Sequence, residues 1–115
     1  MRLKSGIWVS AYIRRAQVEG AQAVLRRRGA EEAGAIFIKV SRLDGTAEVF
    51  APAPQSAFDE AHPTGRAFTR GLKAASASEA EVEDYLARQI KFDPDVWIVE
   101  VEDRQGRHFL DSVVP

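Results

Sequence analysis

Apolar positions along the chain change their period several times, and each change marks an element. Over 7–13, Ile7, Val9, Ala11 and Ile13 alternate with Trp8, Ser10 and Tyr12, the period of a strand. The same stretch carries a helical stripe of Trp8, Val9, Tyr12, Ile13 and Ala16. Its β-branched and aromatic content tips the reading to a strand. Residues 17–28 then read as a helix. Ala21, Gln22, Ala23 and Leu25 are good helix formers, and Val18, Ala21 and Leu25 fall at i, i+3 and i+7. Gly29 suits the stop, and Arg26 to Arg28 complement the negative helix end. Gly20 inside this segment and the lack of a good N-cap count against it.

Residues 29–34 read as a loop and Ala35 to Arg42 as a strand. Asp44-Gly45 suits a two-residue type I′ hairpin turn into a strand over Thr46 to Ala51. That register sets Val40 opposite Val49, Ile38 opposite Ala51, Ser41 opposite Glu48 and Lys39 opposite Phe50. Pro52, Pro54, Pro63 and Gly65 make 52–65 a loop. Arg66 to Lys73 is expected to form a further strand with Phe68 and Leu72 on one face. Ser78 and Glu81 form an S-x-x-E capping box, followed by the stripe Val82, Tyr85, Leu86 and Ile90, with Pro94 ending the helix near Asp93. Val96 to Glu102 is a strand with Trp97, Val99 and Val101 on one face. A turn at 103–106 leads to Arg107–Leu110, expected as a short returning strand. The order implies an α+β fold: a mainly antiparallel sheet of about five or six strands with two helices packed on one face, in a single domain spanning 1–115.

The balance of 45% hydrophobic and 29% charged residues is that of an ordinary globular domain and argues against intrinsic disorder. With no cysteine, disulfides, thiol nucleophiles, iron–sulfur clusters and cysteine-ligated zinc are excluded. No apolar run approaches the roughly 20 residues that span a bilayer, and the first residues lack a signal-peptide core, so a cytoplasmic location is expected. The net charge of −1 hides an asymmetry. Residues 1–50 hold nine Lys/Arg against five Asp/Glu, and residues 51–115 hold seven against twelve, so +4 faces −5.

Two clusters invite a chemical reading. Arg14, Arg15, Arg26 and Arg28 are residues suited to phosphate contacts. On a helix over 17–28 they sit at opposite ends, and Arg26 to Arg28 fan out rather than converge. Asp95, Glu100 and Glu102 resemble the carboxylate pattern of metal-dependent nucleases, where acids hold magnesium. The position of the lysine in that pattern holds Glu102, which cannot supply the positive charge. The alternative is a charged strand edge that resists pairing. His62 and His108 lack metal-ligand spacing; His108 beside Asp103 is the one candidate acid–base pair. No phosphate-binding glycine loop or nucleophile elbow occurs, and no cofactor is implied.

Several short stretches together resemble a family of short, mostly alphaproteobacterial proteins known as domain of unknown function family 1491. They are Ile7-Trp8-Val9, Ile13-Arg14-Arg15, Arg27-Arg28-Gly29, Ala33-Gly34-Ala35, Arg42-Leu43-Asp44-Gly45-Thr46, Phe92-Asp93-Pro94-Asp95, Trp97-Ile98-Val99-Glu100, Asp103-Arg104 and Arg107-His108-Phe109-Leu110. The resemblance covers nearly the whole chain. It implies a single-domain protein and carries no assigned activity and no functional residue. The sequence thus ranks a noncatalytic protein-interaction domain first, binding itself or another protein and no membrane. A phosphate- or nucleic-acid-binding module using the arginines comes second, and a metal-dependent hydrolase using the carboxylates third.

Overall fold

The segment expected as the first strand is a helix. The computed structural model describes residues 3–54, 66–74 and 76–115. Within them, α1 spans Ser5–Val18 and buries Ser5, Val9, Tyr12 and Ala16, one stripe at helical spacing. Trp8 and Ile13 pack against the same cluster, so the stripe that competes with alternation is the one the core uses. Burial against the sheet outweighs the β preference of these side chains. The two ends show why the helix sits here. At its start, the amides of Ser5 and Gly6 donate to the carbonyls of Glu32 and Glu31 at 3.1 Å each, so the 31–32 loop satisfies donors that a helix leaves open. At its end, Gly20 takes φ +93 and donates to the Gln17 carbonyl, while Ala21 donates to that of Ala16. That pair of bonds is a Schellman stop. Gly20 therefore ends a helix instead of interrupting one, and the expected helix over 17–28 becomes β1, Gln22–Arg27.

The other elements are β2 (Ile36–Ser41), β3 (Thr46–Pro52), β4 (Phe68–Arg70), β5 (Ala77–Ser78), α2 (Glu79–Phe92) and β6 (Trp97–Glu102). The sheet has six strands in the order β1-β6-β2-β3-β4, with β5 on β3. Among the named strands only β2 and β6 pair in parallel. The α+β class and the mostly antiparallel six-stranded sheet are as expected. The helices, however, take opposite faces. Val9, Tyr12 and Ala16 of α1 share a core with Ile36, Ile38, Val40 and Val99, whereas Val82 and Leu86 of α2 share one with Phe37, Val49 and Ile98. Because β2 is buried on both faces, it reads as a continuous apolar run.

Three further expectations change. The β2–β3 loop is Leu43-Asp44-Gly45, with Leu43 at φ 64 and Gly45 at φ 90, and Arg42 donates to Thr46 across it. One extra loop residue shifts the register by one, pairing Lys39 with Val49, Val40 with Glu48 and Ile38 with Phe50. Residues 107–110 form no returning strand. Both edges of β6 are already taken, by β1 and by β2. The tail instead crosses to β4, where Phe68 donates to Ser112 and Val114 donates to Phe68. β4 itself stops at Arg70, so Phe68 and Leu72 join different cores. The capping box of α2 is complete: Ser78 accepts from the Glu81 amide, and Glu81 accepts from that of Ser78. The loop expected over 52–65 is seen only as far as Pro54; residues 55–65, His62 among them, lie outside the described residues. Among the described residues no helix is long and apolar enough to cross a membrane.

Candidate interaction surface

The densest group of charges lies between the sheet and α2. Lys39, 4% exposed, projects from β2, where the period of two places it beside Ser41. The first two turns of α2 bring Glu79 and Glu83 to the same face, four residues apart. Lys39 Nζ lies 2.6 Å from Glu79 Oε1, 2.5 Å from Glu83 Oε2 and 3.7 Å from Glu100 Oε2. Arg26 arrives from β1, where a bulge interrupts pairing between Leu25 and Arg27. It donates to both oxygens of Glu83 and, at 3.0 Å, to Glu100. The Ser41 hydroxyl donates to Glu79.

Hydrogen bonds from Arg26, then from Lys39, outweigh burial and hold Glu83 down at about 2. Burial pushes Lys39 downward, but hydrogen bonds to Glu79 and Glu83 and the charge of Glu100 raise it overall. Acid and base are thus both fully charged through the neutral range. They lock helix to sheet and have no proton to exchange there. The signal in the sequence was a lone lysine inside the apolar run Ile36–Val40.

A smaller polar centre lies on the opposite face. Glu48, buried on β3, accepts from Arg42 at 2.8 Å and pairs with Arg70 through its other oxygen. The Arg70 guanidinium sits 5.5 Å over the Phe50 ring, and the His108 ring meets Phe50 edge-on at 5.1 Å. Burial, then the charge of Arg70, lowers the affinity of His108 for a proton. Its Nδ1 accepts from the Leu110 amide at 2.9 Å, which leaves Nε2 to carry the ring proton. Asp103 does not serve it: both Asp103 oxygens accept from Arg107.

The arginines singled out in the sequence are dispersed. Arg26 belongs to the α2 network. Arg27 donates to the Pro94 carbonyl at 2.8 Å. Arg28 lies 3.9 Å from Glu31 and 5.4 Å over the Trp97 ring. Arg15 pairs with Asp111 at 2.6 Å, and Arg14 is exposed beside it on α1. Glu100 and Glu102 share a face of β6 as alternation requires, but Glu100 is held by Arg26. Asp95 sits in the preceding turn, its amide donating to Asp93 and its carbonyl accepting from Ala30. Among the described residues no three His, Asp or Glu side chains are grouped to hold a metal ion.

Among the described residues, the outer face of α1 carries a line of exposed apolar side chains. Ile7, Ala11, Arg14 and Val18 are spaced four, three and four apart, so they form one stripe opposite the buried one. Ile7 is 53% and Val18 78% exposed. A shallow groove of about 540 Å³ follows the stripe past Ser10, Arg14 and Glu19. A second, of about 270 Å³, lies between α1 and the C-terminal segment, with Leu3, Trp8, Tyr12 and Phe109 as walls and Arg15 and Asp111 at its rim. The two adjoin at Ala11 and Arg15. Reading 7–13 as a strand and 17–28 as a helix hides this surface, because it places Ile7 and Ala11 in one element and Val18 in the next.

These features define a class: a small α+β protein whose six-stranded mixed sheet separates two helices, one tied down by charges and one with an open outer face. The chain belongs to the family described as protein of unknown function (DUF1491), whose pattern matches residues 3–111. The crystal structure of a DUF1491 family protein from Caulobacter crescentus is 39% identical, with full coverage of both chains and a TM-score of 0.80. The solution structure of protein Atu0922 from A. tumefaciens is 37% identical, covering 100% of this chain and 98% of that one, with a TM-score of 0.81. No curated protein matches the chain.

Proposed function

We propose that the protein is a cytoplasmic, noncatalytic interaction domain that contacts another protein through the outer face of α1. The exposed stripe of Ile7, Ala11, Arg14 and Val18 carries the reading, since apolar side chains are placed in line on an otherwise well-packed helix. The charged groups elsewhere support it. Lys39, Glu79, Glu83, Glu48 and Asp103 are matched to partners within the chain, which suits a scaffold more than a reaction site. A photo-crosslinking residue placed at Ser10 in the native host tests the idea, with Ala87 on the exposed side of α2 as the control. The expected result is one discrete protein adduct from Ser10, lost on Ile7→Asp and absent from Ala87. Equal labelling from both positions, or an adduct indifferent to Ile7→Asp, would remove the α1 face from consideration.

A further inference from the structure

Resting on that reading of the α1 face, we infer that the protein it contacts is a second copy of this chain, with the two α1 helices packed antiparallel about a two-fold axis at Ala11. The charges along the helix carry the inference. Lys4, Arg14 and Arg15 border the grooves beside α1, and so do Glu19, Glu31 and Asp111. Three of each sign leave no excess to draw a charged partner, but they are ordered along the helix. Arg14 is exposed beyond Ala11 and forms no ion pair among the described residues. The Glu31 carboxylate lies before Ala11, resting where a Cβ on Gly6 would stand. Its pair within the chain is Arg28 at 3.9 Å, with both side chains mostly in water. An exposed pair of this kind contributes little to stability.

About such an axis, a residue some positions after Ala11 lies level with one as many positions before it in the second copy. Arg14 then comes within about 3 Å, measured along the helix, of the Glu31 carboxylate over Gly6 of the second copy. Glu19 meets Lys4 in the same way. By helical spacing Arg14 and the seat of Glu31 fall towards one flank of the stripe and Lys4 towards the other, and this two-fold returns each flank to itself. The centre suits a close approach, since Ser10 and Ala11 are small and Ile7 enters between Arg14 and Val18 of the second copy. Parallel packing instead stacks Arg14 on Arg14 and Glu31 on Glu31. A polyanion or an acidic peptide meets Glu19 and Glu31 as well as the arginines. The face of this 14-residue helix is about 21 Å long and about 10 Å wide, short of the roughly 800 Å² per partner of a standard interface, so the dimer is weak and forms as concentration rises.

The test is sedimentation equilibrium of the purified full chain from about 10 μM to about 1 mM. The parent is expected to pass from one chain towards two over that range. Arg14→Glu alone and Glu31→Arg alone should each weaken self-association about tenfold, since each makes two like-charge contacts per dimer. Both side chains are exposed, so both variants should melt like the parent. Mixed in equal amounts, the two variants should associate as tightly as the parent, because every contact again joins opposite charges. Arg88→Glu, the same change on the exposed side of α2, should leave association unchanged. A chain that stays single at the highest concentration, association indifferent to Arg14→Glu, or no recovery on mixing would each overturn the inference. If the chain stays single while Ser10 still gives an Ile7-dependent adduct, the second copy is wrong and the α1 interface stands. If Ser10 gives no such adduct either, both readings fall.

Discussion

Arg26 and Glu83 meet through two hydrogen bonds, of 2.6 and 2.8 Å, so the outermost strand is tied to the helix that covers β2 and β3. The fork geometry is the favourable one for a guanidinium and a carboxylate. Both side chains keep over a third of their surface in water, 34% and 39%, so solvent limits the gain. A double-mutant cycle of Arg26→Ala and Glu83→Gln, read by urea unfolding, is expected to give a coupling of about 1 kcal/mol that shrinks with added salt. No coupling at low salt would mean that the bulge in β1, rather than the ion pair, sets the position of Arg26.

Lys39 is a different case, because its side chain is 5% exposed and faces three carboxylates. Lys39→Met removes the cation that shares Glu79, Glu83 and Glu100 and leaves three partly exposed carboxylates facing one another. The expected loss is about 2 kcal/mol, below the scale for breaking a fully buried pair because solvent reaches Glu79 and Glu83. Adding Glu79→Gln to Lys39→Met should recover part of it. Chemical denaturation of the single and double variants checks both statements, and an unchanged Lys39→Met midpoint would show that water already solvates this site.

The elements whose ends are written locally were legible: the capping box of α2, the β2 run, and the alternation of β6. The first 28 residues were not. Val9, Tyr12 and Ala16 satisfy a helical period while Ile7, Val9 and Ala11 satisfy a strand period, and the choice lies in contacts with β1 and β6. The caps of α1 are hidden for the same reason, since its first amides are satisfied by carbonyls from residues 31 and 32. The one local clue was Gly20, which reads equally as a flaw inside a helix or as a stop after one. The arginines of 26–28 followed the error: on a helix they crown an end, whereas on an edge strand they diverge to α2, to Pro94 and to Trp97.

Gly20 offers a direct check of that boundary. At φ +93 it has open space where a side-chain methyl would go, with no heavy atom within 4 Å, so Gly20→Ala tests backbone strain alone. A loss of about 1 kcal/mol is expected, by thermal unfolding, from forcing a Cβ into the left-handed region. Gly29→Ala should cost more, because its added methyl would collide with the Asp95 carbonyl oxygen. If Gly20→Ala is neutral, the helix does not end in the Schellman geometry in solution.

Acid sensitivity should appear in two separate windows, and His108 governs the upper one. Burial, with the charge of Arg70 adding to it, lowers the folded-state pKa of His108 below its ordinary value of 6.5. As pH falls through that ordinary value the unfolded chain takes up a proton that the folded chain does not, so stability is lost on acidification. Glu83, held near 2, keeps its contribution until pH drops below its ordinary 4.5, which places its window lower. His108→Asn keeps an acceptor for the Leu110 amide but does not titrate. Urea unfolding at about pH 7.5 and about pH 5.5 should therefore show a smaller drop in the variant than in the parent. His62 is present in both proteins and cancels from the comparison. Parallel losses in the two would place the sensitivity in other groups and leave His108 as a packing residue against Phe50.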